Sequence, residues 1–309
     1  MNNPNPPLIE QNLDAFAAQF PIQYCQGVNQ RRLAFRHFYH YPLAKKLLVL
    51  VNGRAENLLK WTELARDFYQ QGFDVLLFDH RGQGYSERLL AAAQKGYVEQ
   101  FDFYCQDMQR VLDELLFIYP YTQQFLLAHS LGALISAHYL ANFEHSFQQA
   151  VFSAPFWGVP YKSPKRDKFL LKLMMKLGKG ENYVFGKGAY QPVDPAHNKL
   201  SHDVERMARM NENIEKYPAL CLGGPTFHWL EQCQRAIDQL PEILPKIAIP
   251  VLILQAEQEQ IVNNQALDFY PALLPQGQLE RVRGAKHEIL FECDEIRQPV
   301  LNAILNRFA

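Results

Sequence analysis

Gln124-Phe-Leu-Leu-Ala-His-Ser-Leu-Gly-Ala133 is an apolar run that ends on a serine and passes at once into small residues. The run reads as a buried strand, and Leu131-Gly-Ala-Leu134 as the start of a helix. A strand that becomes a helix within one residue holds that residue in a cramped conformation, with its side chain thrown clear of the backbone. A serine there is suited to nucleophilic attack, because the N–H of Leu131 points into the space its hydroxyl occupies.

Outward from this turn the chain alternates strands and helices. Short runs at Arg32–Phe38, Lys46–Val51, Asp74–Asp79, Phe125–His129, Ala150–Ser153, Pro250–Gln255 and Gln278–Val282 read as strands. Helical spacing marks Trp61–Gln71, Phe101–Tyr119 and a closing helix, Glu295–Phe308. This order predicts an α/β fold with a mainly parallel central sheet and right-handed crossovers. The interval from about Pro155 to Pro245 breaks the rhythm and contains no convincing strand. It reads as a helical cap (155–245) inserted between two parts of one core, 1–154 and 246–309.

Three further segments bear on Ser130. Val51-Asn-Gly-Arg-Ala55 follows a strand, and its glycine lets the backbone turn with N–H groups facing inward. The N–H of Arg54 is the expected second donor to an oxyanion, paired with that of Leu131. Gln255-Ala-Glu-Gln-Glu-Gln-Ile261 supplies a carboxylate after a later strand, with Glu259 the better placed and Glu257 the alternative. Gly284-Ala-Lys-His-Glu-Ile-Leu290 supplies His287 as general base, whose neutral form must take the serine proton. The order Ser130, Glu259, His287 is the nucleophile–acid–base order of α/β-hydrolases. The Asp79–Ser86 loop, with Asp, His and Arg, reads as a tight turn at Gly82 and Gly84 pinned by Asp79 and Arg81. His129 is expected to pack beside the strand.

The chain resembles α/β-hydrolases of the monoacylglycerol-lipase-like, serine aminopeptidase-type group, and within it bacterial lysophospholipases of the PldB type. The resemblance runs from about residue 45 to the C-terminus. It rests on Asn52–Glu56, Phe73–Ser86, Leu127–Gly132, Gly223–Trp229, Leu254–Glu259 and Lys286–Glu292. Three positions depart from the wider group. Ala128 stands for the first glycine of the elbow, Glu259 for the usual Asp, and Asn52-Gly53 for His-Gly. The resemblance implies hydrolysis of the single ester of a lysophospholipid through an acyl-enzyme on Ser130, without metal or organic cofactor. His228 and Trp229 are candidates to line an acyl or headgroup pocket, and the Arg54 side chain to attract a phosphate. A monoacylglycerol lipase or general esterase shares the same machinery. A catalytically silent lipid-binding protein on this fold is the non-enzymatic alternative. Dehalogenase or epoxide-hydrolase chemistry would need an acid where Ser130 stands, and the prolyl-aminopeptidase form of elbow is absent.

Charge adds a clue to the substrate. The chain of 309 residues has a formal net charge of −1, which gives no general pull toward nucleic acid. Lys162–Lys179, by contrast, holds seven basic residues against one acid, Asp167. Lys165, Lys168, Lys172, Lys176 and Lys179 fall on one stripe of a helix. Such a face suits an anionic membrane surface, the plain alternative being a solvated lid. The five cysteines share no paired spacing and are expected to be reduced thiols of a cytoplasmic protein. The N-terminal residues lack a basic and apolar leader pattern and read as a loose tail. The expected setting is the cytoplasm, with peripheral contact at the inner membrane face.

Overall fold

Continuously apolar strands can be buried on both faces only if helices cover both sides of a sheet, and this chain folds that way. The structure, a computed structural model, describes residues 8–42 and 44–309. The expected N-terminal tail lies outside the described residues up to Pro7; Leu8 already opens a helix.

In chain order the elements begin with α1 (Leu8–Ala18), β1 (Gln23–Gln26), β2 (Arg32–Phe38), β3 (Lys46–Val51), α2 (Leu58–Gln70) and β4 (Asp74–Phe78). Next come α3 (Asp102–Ile118), β5 (Gln123–His129), α4 (Leu131–Asn142) and β6 (Phe147–Ser153). Four helices without a strand follow: α5 (Pro164–Lys176), α6 (Val204–Lys216), α7 (Phe227–Asp238) and α8 (Leu240–Ile243). The chain closes with β7 (Val251–Ala256), β8 (Gly277–Val282) and α9 (Asp294–Arg307).

The eight strands form one sheet in the order β1-β2-β4-β3-β5-β6-β7-β8. β1 and β2 pair antiparallel, and the sheet is parallel from β4 to β8. β3 and β5, the two strands that lead into Gly53 and Ser130, lie side by side with Val51 opposite Ala128. Two apolar cores flank the sheet. α3 and α4 cover one face through residues such as Met108, Val111 and Leu134; α2 and α9 cover the other through Trp61, Phe68 and Leu301. Among the described residues, the β-type pairing made by the segment between β6 and β7 is limited to two isolated bridges, Gly96 with Pro225 and Tyr183 with Thr226. Its last helices, α7 and α8, are bedded on α4. Among the described residues no helix is long and apolar enough to cross a membrane.

α6 is fastened to α2 by charge. Glu63, buried on α2, accepts from Arg206 at 2.8 Å and from Arg209 at 2.9 Å. Burial alone would push the Glu63 carboxyl up, but the hydrogen bonds and charge of Arg206, with Arg297 and Arg209, outweigh it and hold the group at about 2. A carboxylate depressed in the folded state stabilises fully above its unfolded value and loses that contribution as pH falls through the folded one. Glu63→Gln is therefore expected to cost about 3 kcal/mol near neutral pH. In urea melts the gap to wild type closes as pH falls from about 4.5 toward 2. A gap independent of pH would remove the arginine pairing as its cause.

Candidate active site

Ser130 sits between β5 and α4 with φ 51° and ψ −115°, outside the regions an ordinary side chain prefers. Neighbouring backbone holds it there. Its N–H donates to Ser153 O at 3.0 Å, and its carbonyl accepts from Phe156 N at 3.0 Å. Gly132 permits the turn: a Cβ there would stand 2.2 Å from Val51 O and 2.5 Å from Asn52 O. Ala128, wholly buried one residue before His129, needs only to be small.

The three side chains nominated in the sequence meet at this turn. His287 Nε2 is 3.1 Å from Ser130 Oγ, and His287 Nδ1 is 2.7 Å from Glu259 Oε2. The other Glu259 oxygen accepts from Ile261 N at 2.6 Å and Val262 N at 3.1 Å. Burial favours the neutral Glu259 carboxyl. The hydrogen bond and charge of His287 and the two backbone N–H groups outweigh that, and hold Glu259 below the usual glutamate range. Glu257, the alternative, is exposed and accepts from Gly284 N at 2.8 Å. A carboxylate on Nδ1 fixes the imidazole tautomer that leaves Nε2 free to accept the serine proton.

Arg54 and Leu131 both border the cavity that opens over Ser130. Among the described residues neither backbone N–H donates a hydrogen bond, so both are available to an oxyanion. The cavity measures ≈ 820 Å³ and is walled largely by apolar side chains, including Phe156, Leu170, Leu171, Phe227, Leu230 and Ile261. That size and character suit an acyl chain. Trp229 also lines it, stacked on Phe156 at 6.0 Å. His228 does not. Its ring stacks on Tyr97 at 5.0 Å and its Nε2 meets Glu99 O at 2.9 Å. The expectation for His228 is thereby corrected. His228 lies on the face of α7 turned toward Tyr97 and Glu99, while Phe227, Trp229 and Leu230 of the same helix border the cavity.

Residues 42–294 match the sequence profile of the family described as serine aminopeptidase, S33. The chain belongs to this family. The protein described as probable lysophospholipase L2 of Haemophilus influenzae is 51% identical over 94% of this chain and 92% of its own length. Lysophospholipase L2 of Escherichia coli is 32% identical over 90% of this chain and 83% of its own length. A crystal structure of a soluble variant of monoglyceride lipase from Saccharomyces cerevisiae superposes with a TM-score of 0.73. It covers 94% of this chain and 97% of that one at 17% identity, which shows the shared α/β-hydrolase fold.

Further residues support this centre, and three of them, Gln83, Lys60 and Glu288, are absent from the sequence expectations. Gln83 Nε2 donates to Gly53 O at 2.9 Å and Glu56 O at 3.1 Å, while its Oε1 accepts from Ala55 N at 3.2 Å. It ties the Asp79–Ser86 loop to the loop after β3. In that turn Gly82 (φ 80°) and Gly84 (φ 55°) take left-handed conformations. Asp79 accepts from Tyr85 N at 2.8 Å and Arg81 pairs with Asp107 at 2.6 Å, so the loop is a pinned turn as the sequence suggested. Asn52, standing where the wider group has His, donates to Asp79 at 3.2 Å. Lys60 bridges Glu56 and Glu288, each at 2.6 Å, and Glu56 in turn accepts from Gly53 N. The loop after β3, α2 and the loop carrying His287 are thus joined by one buried ion cluster. His129 is buried, 3.1 Å from Ser153 O, with its ring 4.8 Å from that of His287. Burial pushes His129 down to about 3, so it underlies His287 as a neutral ring.

Proposed function

We propose that this α/β-hydrolase is a lysophospholipase that cleaves the acyl ester of a lysophospholipid with Ser130 as nucleophile, His287 as base and Glu259 as the acid that orients it. Membership of the family and the named relatives make the chain a carboxylic ester hydrolase acting on lipids. The observation that carries the residue assignment is the continuous line of contacts, Glu259 to His287 at 2.7 Å and His287 to Ser130 at 3.1 Å, opening on an apolar cavity.

In this reading Ser130 Oγ attacks the acyl carbonyl carbon as its proton passes to His287 Nε2. The N–H groups of Arg54 and Leu131 hold the oxyanion. The intermediate collapses, the ester C–O bond breaks, and the imidazolium returns the proton to the departing glycerol oxygen. A water molecule then attacks the acyl-serine as it gives a proton to His287; the bond from the acyl carbon to Ser130 Oγ breaks, His287 returns the proton to that oxygen, and the fatty acid leaves. No redox step or further reactant is required.

We also read residues 155–245 as a cap that covers this cavity and meets the lipid surface. Lys165, Lys172 and Lys176 of α5 are exposed, and Lys168 is half-buried, 3.7 Å from Asp238. Lys179 lies beyond the helix, which ends at Lys176 with the left-handed Gly178 (φ 69°) following its cap Leu177. Beside the lysines runs an exposed apolar ridge, Phe169, Leu173 and Leu177, at successive turns, while Leu170 and Leu171 line the cavity from the same helix. An apolar ridge flanked by cations fits the interface of an anionic bilayer.

The test sets purified protein on lysophosphatidylethanolamine, lysophosphatidylglycerol and monoacylglycerol side by side, with a Lys165, Lys168, Lys172, Lys176→Gln variant as a second arm. Preferred turnover of the lysophospholipids is expected; turnover of monoacylglycerol alone would turn the assignment to a monoacylglycerol lipase. The variant should sediment less with phosphatidylglycerol vesicles, and unchanged sedimentation would dispose of the docking role.

A further inference from the structure

Among the described residues no carboxylate pairs with the positive charge of Arg54. Its side chain leaves the oxyanion loop and enters a slot beneath the segment Gly223–Trp229. There the guanidinium lies 5.3 Å from the Trp229 ring centroid and donates through Nη2 to Gly223 O. Gly96 makes room for it, since a Cβ at that position would stand 2.5 Å from Nη2. Arg54 takes part in none of the ion pairs among the described residues. Burial pushes its guanidinium down to about 10, and the groups that offset this in part are Tyr104, Cys233 and Tyr183, with no carboxylate among them. Nε is buried without a hydrogen-bond partner. Lys60, on the same cavity wall, is by contrast held between two glutamates.

A buried charge without a counter-charge is costly unless a ligand supplies one, and arginine's planar fork matches the oxygens of a phosphate. The side chain is held by the cap and packed against an aromatic ring, so little freedom remains to be lost on binding. Its position suits an ester of glycerol phosphate. The phosphate lies one glycerol backbone away from the ester carbonyl, and the guanidinium lies one side chain away from the N–H assigned to the oxyanion. The exposed Lys162 and Lys187 border the same cavity and add positive potential at its rim.

We propose that the Arg54 guanidinium binds the phosphodiester of the headgroup, so that one residue supplies an oxyanion donor from its backbone and headgroup selection from its side chain. The inference rests on the ester-hydrolase reading above and adds to it the basis for preferring a lysophospholipid to a neutral monoacylglycerol.

The experiment compares kcat/KM for lysophosphatidylglycerol and monoacylglycerol of the same acyl chain in wild type, Arg54→Gln and Arg54→Lys. Arg54→Gln keeps the backbone N–H and is expected to lower the lysophospholipid-to-monoacylglycerol ratio by about 10–100-fold, the range of a lost charge-assisted hydrogen bond. Arg54→Lys should recover part of the ratio, because it restores the charge without the fork. An unchanged ratio overturns the proposal, as does an equal loss on both substrates, which would mark a structural role. Inhibition of monoacylglycerol hydrolysis provides a second arm. Glycerol 3-phosphate should inhibit wild type more strongly than glycerol does, and equal inhibition overturns the proposal; this comparison decides alone if Arg54→Gln fails to fold. Inorganic phosphate as potent as glycerol 3-phosphate would reassign the site to free phosphate and overturn the headgroup role. Wild type inactive on both lipids would defeat the ester-hydrolase reading and the inference with it, whereas an active enzyme with an unchanged ratio defeats the inference alone.

Discussion

Ser130→Ala is expected to lower turnover of lysophospholipid by about a million-fold and to abolish labelling by a fluorophosphonate probe, with the thermal midpoint close to wild type. The substitution removes one oxygen, whose only hydrogen-bond partner among the described residues is His287 at 3.1 Å. Serine and alanine share a Cβ, so the strain at φ 51° is the same in both, and the backbone bonds to Ser153 and Phe156 are untouched. The loss therefore reports chemistry and not folding. A residual rate of about a thousand-fold or more over water would remain from the oxyanion donors and substrate binding. The same variant separates an enzyme from a silent lipid-binding protein. The binding protein would show neither the probe label in wild type nor any change in hydrolysis on substitution. Near-normal hydrolysis by Ser130→Ala would sink the nucleophile assignment.

What could be read from the sequence follows how locally each signal is encoded. The elbow is legible because its strand, serine and glycine are contiguous and sterically demanding; Gly132 has no space for a Cβ. The loops holding Glu259 and His287 are legible because each follows a short strand of a parallel sheet, the apolar β7 and the largely exposed β8, and parallel strands deliver their following loops to one edge. The ion cluster is not, because Glu56 and Lys60 at i and i+4 look like an ordinary surface pair, and the third member, Glu288, arrives only through the fold. Helical phase explains His228: the direction of each side chain depends on where α7 begins, at its Thr226 cap. Lys179 drops off the predicted lysine stripe because Gly178 ends the helix first. β1 escapes notice because only Cys25 of its four residues turns inward, which leaves no alternation to read.

Glu259→Gln is expected to lower kcat by about ten-thousand-fold with KM little changed, while Glu257→Gln stays within a few-fold of wild type. The geometry makes the first loss a matter of tautomer. Glu259 Oε1 accepts from Ile261 N and Val262 N, so the oxygen of a glutamine amide is held at that site and its NH₂ faces His287. Nδ1 must then accept, which places the ring proton on Nε2, where it points at Ser130 and blocks uptake of the hydroxyl proton. The carboxylate avoids this by remaining ionised. Against the push of burial, the His287 contact and the two backbone N–H groups hold it below the usual glutamate range, so it is charged throughout the neutral range. Glu257 has no such partner; it is exposed and its carboxylate accepts only from Gly284 N among the described residues. Steady-state kinetics of the two variants against the same lysophospholipid separates the carboxylates that spacing alone left open. A ten-thousand-fold loss in Glu257→Gln, with Glu259→Gln active, would transfer the orienting role to Glu257 and require the loop after β7 to rearrange when substrate binds.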